Sequence, residues 1–421
     1  HHQPLLILVL LSLTATAGAA DRLPAGLHQR VPVGQATRLD WAFALSNQSP
    51  TEPPAEWLQG YDSSEQAYQL AVPPQLPGRS LLPLVLFISP GDRPTGQAQW
   101  QATCRRHGVL FASPHGAGNR CPFPRRVRIV LDVLDDLRRR YPIDANRTYL
   151  AGFSGGGRVA CAIGFALPEY FGGVVPVCAA GSLRPESWLR HRVIDRLSVA
   201  LVTGETDFNR SEVERFRGPL LKEVGVRART WMQPGSGHAI PPAPLDEVFG
   251  WLEKDRPRRA ALAKAHPASR LGTDSAPSRS EWARALLAEG KKRLQTPGTV
   301  YSGLMQLKGV MVRWNDLPAA AEAKRILLEY ESRSRRPWEQ EDIAEQRRFL
   351  VAQARGVDAY GSGPLPSQYA PQRPDMLKAA ISLWERVLQD GQDKQAAKQA
   401  RERIPVLRER LSAESKSDDD G

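Results

Sequence analysis

Thr148-Tyr149-Leu150-Ala151-Gly152-Phe153-Ser154-Gly155-Gly156-Gly157 is the stretch on which the fold turns. A short run of strand formers leads into a Gly-x-Ser-x-Gly turn, and Arg158 to Leu167 has helical spacing directly after it. Strand, sharp turn and helix in that order stand a serine hydroxyl exposed at the edge of a sheet. The turn needs glycine at 152 and 156, where side chains would strike the neighbouring helix and strand, and it forces a strained backbone on Ser154.

Outward from this stretch, short apolar runs alternate with longer amphipathic ones. Leu84-Val85-Leu86-Phe87-Ile88 ends in Ser89-Pro90-Gly91-Asp92, and Val109–Ala112, Val174–Val177, Ser198–Val202 and Val226–Met232 continue the series. Between them, apolar residues at 127, 130, 131, 134 and 137 repeat with the period of a helix. The strands are apolar throughout rather than alternating, which predicts a parallel sheet covered on both faces. Residues 29–76, richer in polar residues and proline, are expected to supply the first, antiparallel strands. Residues 21–254 therefore read as an α/β catalytic domain with a doubly wound, mostly parallel sheet.

The composition changes after Trp251-Leu252-Glu253. Residues 255–277 mix Pro, Ser, Ala and Arg without periodicity and read as a linker. Ser278 and Glu281 match a capping box, and further helices are predicted over Val300–Asn315, Pro318–Arg333, Trp338–Ala354, Pro374–Leu388 and Lys394–Leu411. Residues 278–421 are thus expected to form a separate all-α domain, interrupted by a Gly/Pro-rich break at Gly361–Pro374. Its paired helices suggest a helical repeat, without a clean period of about 34 residues.

With 41% hydrophobic and 24% charged residues, a wholly disordered or fibrous chain is excluded. At about 150 residues per domain, 421 residues call for more than one. The net charge of +12 is divided almost evenly between the two halves, and no basic run exceeds three residues. A nucleic-acid surface needs clustering on one face, so nucleic acid is not an expected partner. Pro4 to Leu13 is an apolar run too short to cross a bilayer, and Ala17-Gly18-Ala19-Ala20 follows as a small-residue cleavage site. Residues 1–20 read as a signal peptide, which places the chain outside the cytoplasm as a secreted or periplasmic protein with no membrane span after removal. In that oxidising setting Cys104–Cys121 and Cys161–Cys178 are the favoured disulfides, with four reduced buried thiols as the alternative. The cysteine spacings do not suit a zinc site, and no metal or cofactor is expected.

Two segments downstream supply partners for the serine. Asp207 lies in a loop just past the Ser198–Val202 run, and His238 lies in Pro234-Gly235-Ser236-Gly237-His238, just past the next. Both fall at the carboxyl edge of the same sheet as Ser154. A serine hydroxyl is a weak nucleophile and needs a base and an orienting acid, and the order Ser, Asp, His is the one this architecture uses. Glu205, in the same loop, and Asp195 are rival acids. With these motifs the chain resembles the α/β-hydrolases, within the esterases that include feruloyl and acetylxylan esterases and polyhydroxybutyrate-depolymerase-like proteins. The resemblance implies Ser154 as nucleophile, Asp207 as acid and His238 as base.

The implied activity is cleavage of a carboxylic ester through an acyl-enzyme, on a small molecule, polysaccharide or polyester. The oxyanion requires two donors. Gly155 N–H is one, and because Pro90 has no N–H, Gly91 or Asp92 is the other. Phe153 and Phe208 are expected to wall the substrate pocket and His115 to line it. Alternatives are a serine peptidase of the prolyl-oligopeptidase type, or a scaffold protein whose helical domain binds a protein partner.

Overall fold

The computed structural model describes residues 22–46, 52–76, 81–265 and 278–419. The signal segment, residues 1–20, lies outside them, as do residues 266–277 of the expected linker. Eight strands form one sheet in the order β1-β2-β4-β3-β5-β6-β7-β8. They are β1 (Gly26–Pro32), β2 (Ala67–Val72), β3 (Leu82–Ile88), β4 (Leu110–Pro114), β5 (Ile143–Phe153), β6 (Gly173–Val177), β7 (Ser198–Gly204) and β8 (Arg227–Gln233). β2 pairs antiparallel with both β1 and β4, and every later pairing is parallel. The expected mostly parallel, doubly wound sheet is therefore present, with its antiparallel strands at the amino-terminal edge.

Helices α1 (Phe43–Ser46), α2 (Gln97–His107), α3 (Phe123–Arg140), α4 (Gly155–Ala166), α5 (Ser187–Arg196), α6 (Gly218–Glu223) and α7 (Leu245–Lys254) flank the sheet. Alternate residues of each strand enter cores on opposite faces. Leu84, Leu86, Leu150, Val199 and Leu201 join α3, α4 and α5 in one core. Val85, Phe87, Ala151, Ala200 and Val202 join Trp100 of α2 and Leu245, Val248 and Phe249 of α7 in the other. Burial on both faces is why these strands read as unbroken apolar runs.

The segment expected to be a linker begins as helix α8 (Arg256–Ala265). Asp255 explains this: it accepts hydrogen bonds from Ser198 Oγ at 2.5 Å and from the Arg258 guanidinium, which pin the start of the helix to β7. The six expected helices follow as α9 (Arg279–Leu294), α10 (Val300–Arg313), α11 (Pro318–Glu331), α12 (Trp338–Ser362), α13 (Arg373–Asp390) and α14 (Lys394–Asp419). The capping box at Ser278 and Glu281 is formed.

These helices are not insulated from the sheet. Trp282, Leu286, Leu304, Leu307, Trp314 and Phe349 belong to the same core as Trp188 and Leu189 of α5. A third core joins α12 to α13 and α14 through Val351, Leu377, Trp384, Ala400 and Leu407. Buried charges reinforce the first junction: Arg313 is fully buried between Asp40 and Glu169, and the Trp314 indole donates to Asp40 at 2.7 Å. Among the described residues, no helix is long and apolar enough to cross a membrane.

Candidate active site

β5 delivers Ser154 to the carboxyl edge of the sheet, where it starts α4 with φ 53° and ψ −122°. This is a conformation that non-glycine residues rarely adopt. Close packing holds it there, because a Cβ on Gly152 would lie 2.5 Å from the Gly156 carbonyl, and one on Gly156 would strike the Ile88 carbonyl oxygen. β7 and β8 end in register at Gly204 and Gln233, so the loops carrying Asp207 and His238 leave the sheet side by side. Thr206 N donates to the Ser236 carbonyl at 2.9 Å and ties one loop to the other.

The three side chains form one hydrogen-bonded line. With its proton on Nδ1, His238 donates to Asp207 Oδ1 at 2.7 Å, and its Nε2 accepts from Ser154 Oγ at 2.9 Å. The Asp207 carboxylate is buried and accepts also from Thr203 Oγ1 at 2.8 Å and from Asn209 N at 3.1 Å. A carboxylate fixed in this way orients the imidazole and holds that tautomer. Of the rival acids, Glu205 accepts from Gly235 N at 2.8 Å and braces the histidine loop instead. Asp195 accepts from Arg293 at 2.7 Å, in the junction with α9. The imidazole is flanked by rings: Phe208 stacks on it at 3.9 Å between centroids, and Phe153 is tilted against it at 4.8 Å.

Cys178, Asp207 and His238 bring potential metal-ligating atoms within 4.8 Å of one another. Burial, then the Asp207 charge, pushes the Cys178 thiol up to about 12. Its Sγ faces the Ala239 carbonyl at 3.3 Å, and Asp207 and His238 are hydrogen-bonded to each other.

All four cysteines are free, which corrects the expected disulfides. Cys161 lies in the core on the α4 face of the sheet and Cys178 in the core on the other. Cys104 packs in that second core, whereas Cys121 sits half-buried in the loop before α3. Sheet and core packing keep the sulfurs of each pair apart.

The two expected partners of the Gly155 N–H differ. Gly91 N donates to Ser89 Oγ at 3.1 Å and is committed to its own turn. Asp92 N has no acceptor among the described residues, and Gly118 packs so closely that a Cβ there would lie 2.8 Å from it.

His115 is not brought to Ser154. In the tautomer protonated on Nε2 it donates to the Gln29 carbonyl at 2.9 Å, tying the end of β4 to the β1 edge of the sheet. The residue of that loop which does reach the site is Asn119, whose side-chain amide lies against Gly155 so closely that no Cβ fits between them. Asn119 N donates to the Pro90 carbonyl at 2.7 Å, and Arg126 Nε to the Ala117 carbonyl at 2.8 Å, so the loop is anchored at both ends. Its glycines at 116 and 118 were the available signal in the sequence, but they do not say which side chain faces the serine.

The C-terminal helices also reach this edge. The 3-10 segment Ser367–Gln372 brings Tyr369 to within 6.5 Å of Phe208, ring centre to ring centre, and onto Asn209. Another cavity, of about 440 Å³, lies away from the triad between α2 and the β1–β2 edge, lined by Leu27, Val72, Phe111 and Cys104.

No protein-family model and no curated protein matches this sequence. Among solved structures, it is similar to a thermostable esterase with 21% identity over 45% of this chain and TM-score 0.34. The match spans 59% of that esterase. It is also similar to an S-formylglutathione hydrolase from Staphylococcus aureus (14% identity, 44% of this chain and 92% of that one, TM-score 0.34). Est1E from Butyrivibrio proteoclasticus matches with 13% identity over 45% of this chain and 94% of that one, at TM-score 0.35.

Proposed function

We propose that this protein is a serine hydrolase of carboxylic esters. The observation that carries the reading is the unbroken line from Ser154 Oγ through His238 to the buried Asp207, with the serine strained at the start of α4.

His238 Nε2 takes the Ser154 proton as Oγ attacks the ester carbonyl, and the oxyanion forms against the N–H groups of Gly155 and Asp92. The carbon–oxygen bond to the alcohol then breaks, and His238 returns the proton to the leaving oxygen. A water, deprotonated by His238, attacks the acyl-serine; the acid leaves and Ser154 recovers its proton. The partial positive charge at the α4 N-terminus favours the oxyanion at Gly155. Phe153 and Phe208 both lie against the imidazole; Phe153 presents a wall to the acyl group and Phe208 one to the alcohol.

Export to a secreted or periplasmic location is part of the proposal and rests on residues 1–20 of the sequence. The test is labelling by a fluorophosphonate and hydrolysis of a chromogenic acetate ester. Both are expected in the wild type and absent in Ser154→Ala; a wild type that shows neither refutes the reading.

A further inference from the structure

We infer that the C-terminal helices complete the substrate site, forming with α4 a subsite for the alcohol part of the ester, and that this alcohol is an uncharged, hydroxyl-bearing group such as a polyol or a sugar ring. The inference rests on the ester-hydrolase reading above.

A cavity of about 560 Å³ lies where α4 and the segment Glu212–Arg217 meet α12, Ser367–Gln372 and α13. Its position relative to the triad is set by two residues. Arg158 lines it one helical turn after Ser154, about 6 Å along α4. Tyr369 lines it beside Phe208, which stacks on His238. The leaving alcohol must lie within reach of His238 Nε2, which protonates it. The oxyanion loop with Asp92 and Asn119 takes the carbonyl oxygen at Gly155. The alcohol is therefore the part directed toward Phe208 and this cavity.

The lining specifies the chemistry. Arg158 grips Glu212 in a fork, NH1 to Oε1 at 3.1 Å and NH2 to Oε2 at 2.7 Å, and Arg217 Nε adds a bond to the same carboxylate at 3.3 Å. With Asp375 also present, two cations face two anions, so neither an anionic nor a cationic ligand is selected. A purely alkyl group would desolvate this charged network without replacing its water. Phe216 and Tyr360, with rings 26° from parallel at 6.3 Å, and Tyr369 add flat apolar faces. Hydroxyl groups can donate to Glu212 and accept from Arg158, while the carbon face of a ring or chain packs on the aromatic residues.

The test compares kcat/KM for acetates of ethanol, glycerol and a methyl pyranoside, in the wild type and in Glu212→Gln and Tyr360→Ala, with fluorophosphonate labelling of Ser154 confirming a folded site in each. The wild type should prefer the hydroxylated acetates, and the larger of those two preferences identifies polyol or sugar. Glu212→Gln should lose roughly tenfold of that preference through KM, the worth of a hydrogen bond to a charged group, and Tyr360→Ala about tenfold through the lost apolar face against the carbon skeleton. A preference unchanged in both labelled variants, or a wild type that favours ethyl acetate, overturns the subsite alone. A wild type that neither labels nor hydrolyses any acetate overturns the ester-hydrolase reading itself.

Discussion

The Tyr369 hydroxyl donates to Asn209 Oδ1 at 2.7 Å, joining the C-terminal helices to the loop that holds Asp207. Asn209 passes the constraint on: its Nδ2 donates to the Cys178 carbonyl at 2.8 Å, and its backbone N–H to Asp207 at 3.1 Å. Tyr369→Phe leaves a buried amide oxygen short of its donor, a loss of about 1–2 kcal/mol. The melting temperature should fall by a few degrees and kcat on an acetate ester several-fold. An unchanged kcat would show that the acid loop holds its geometry without the helices.

The two carboxylates of that loop should separate in kinetics. Asp207→Asn keeps the shape of the site but no longer holds the imidazole tautomer, and kcat should drop by roughly 10⁴. Glu205→Gln replaces the charged acceptor of Gly235 N–H with a neutral one, and its loss should stay below about tenfold. Equal losses, measured on the same chromogenic ester, would refute the assignment of Asp207.

Gly156 has no room for a methyl group, since its α-carbon faces the Ile88 carbonyl across the elbow. Gly156→Ala must push β3 and α4 apart, at a cost of about 3 kcal/mol. Chemical denaturation should show a lower midpoint, and fluorophosphonate labelling should be lost. A stable, fully labelled variant would contradict the packing described for the elbow.

Thiol titration checks the four free cysteines. Without reductant, the denatured chain should release four equivalents, and the native protein should react at Cys121 first. Burial raises the thiols of Cys104, Cys161 and Cys178 to about 12 and shields them, whereas Cys121 is half-buried with a smaller upward shift. Two equivalents or fewer on denaturation would reveal a disulfide.

Asp358 makes the packing of α12 against α13 and α14 dependent on pH. Burial opposes its charge, but hydrogen bonds from Arg403 at 2.7 and 2.8 Å and from the Trp384 indole at 2.8 Å prevail and hold the carboxyl below its ordinary 3.8. A carboxyl lowered by folding contributes its full stability above the unfolded value and loses it as pH falls through the folded one. Unfolding followed by circular dichroism should therefore show stability falling below about pH 4, with a smaller fall in Asp358→Asn. Identical acid limbs in the two proteins would count against this role.

The elbow, the strand runs and the order of Ser154, Asp207 and His238 were legible because each is a local pattern. Apolar residues in unbroken runs meant strands buried on both faces, and Gly-x-Ser-x-Gly between strand and helix has few other uses. The six C-terminal helices were equally readable from their caps and periodicity. Local pattern also misled: Pro257 and the arginines around it suggested a linker, whereas Asp255 anchors a helix there through Ser198, more than fifty residues earlier in the chain.

Sequence position favoured Asp207 but kept Glu205 as a rival in the same loop, and only tertiary structure turns Asp207 to His238 and Glu205 to Gly235. The same holds for Asn119 over His115 and for the free thiols, since a loop's sequence does not say which way its side chains turn. Sequence by itself determined a covered parallel sheet, a strained serine at its edge and a helical C-terminal region, all encoded by neighbours in the chain. Tertiary structure alone decided that those helices share a core with the sheet and lay Tyr369 beside the triad. Those contacts join residues more than a hundred positions apart, and the shape that permits them exists only once both parts have packed.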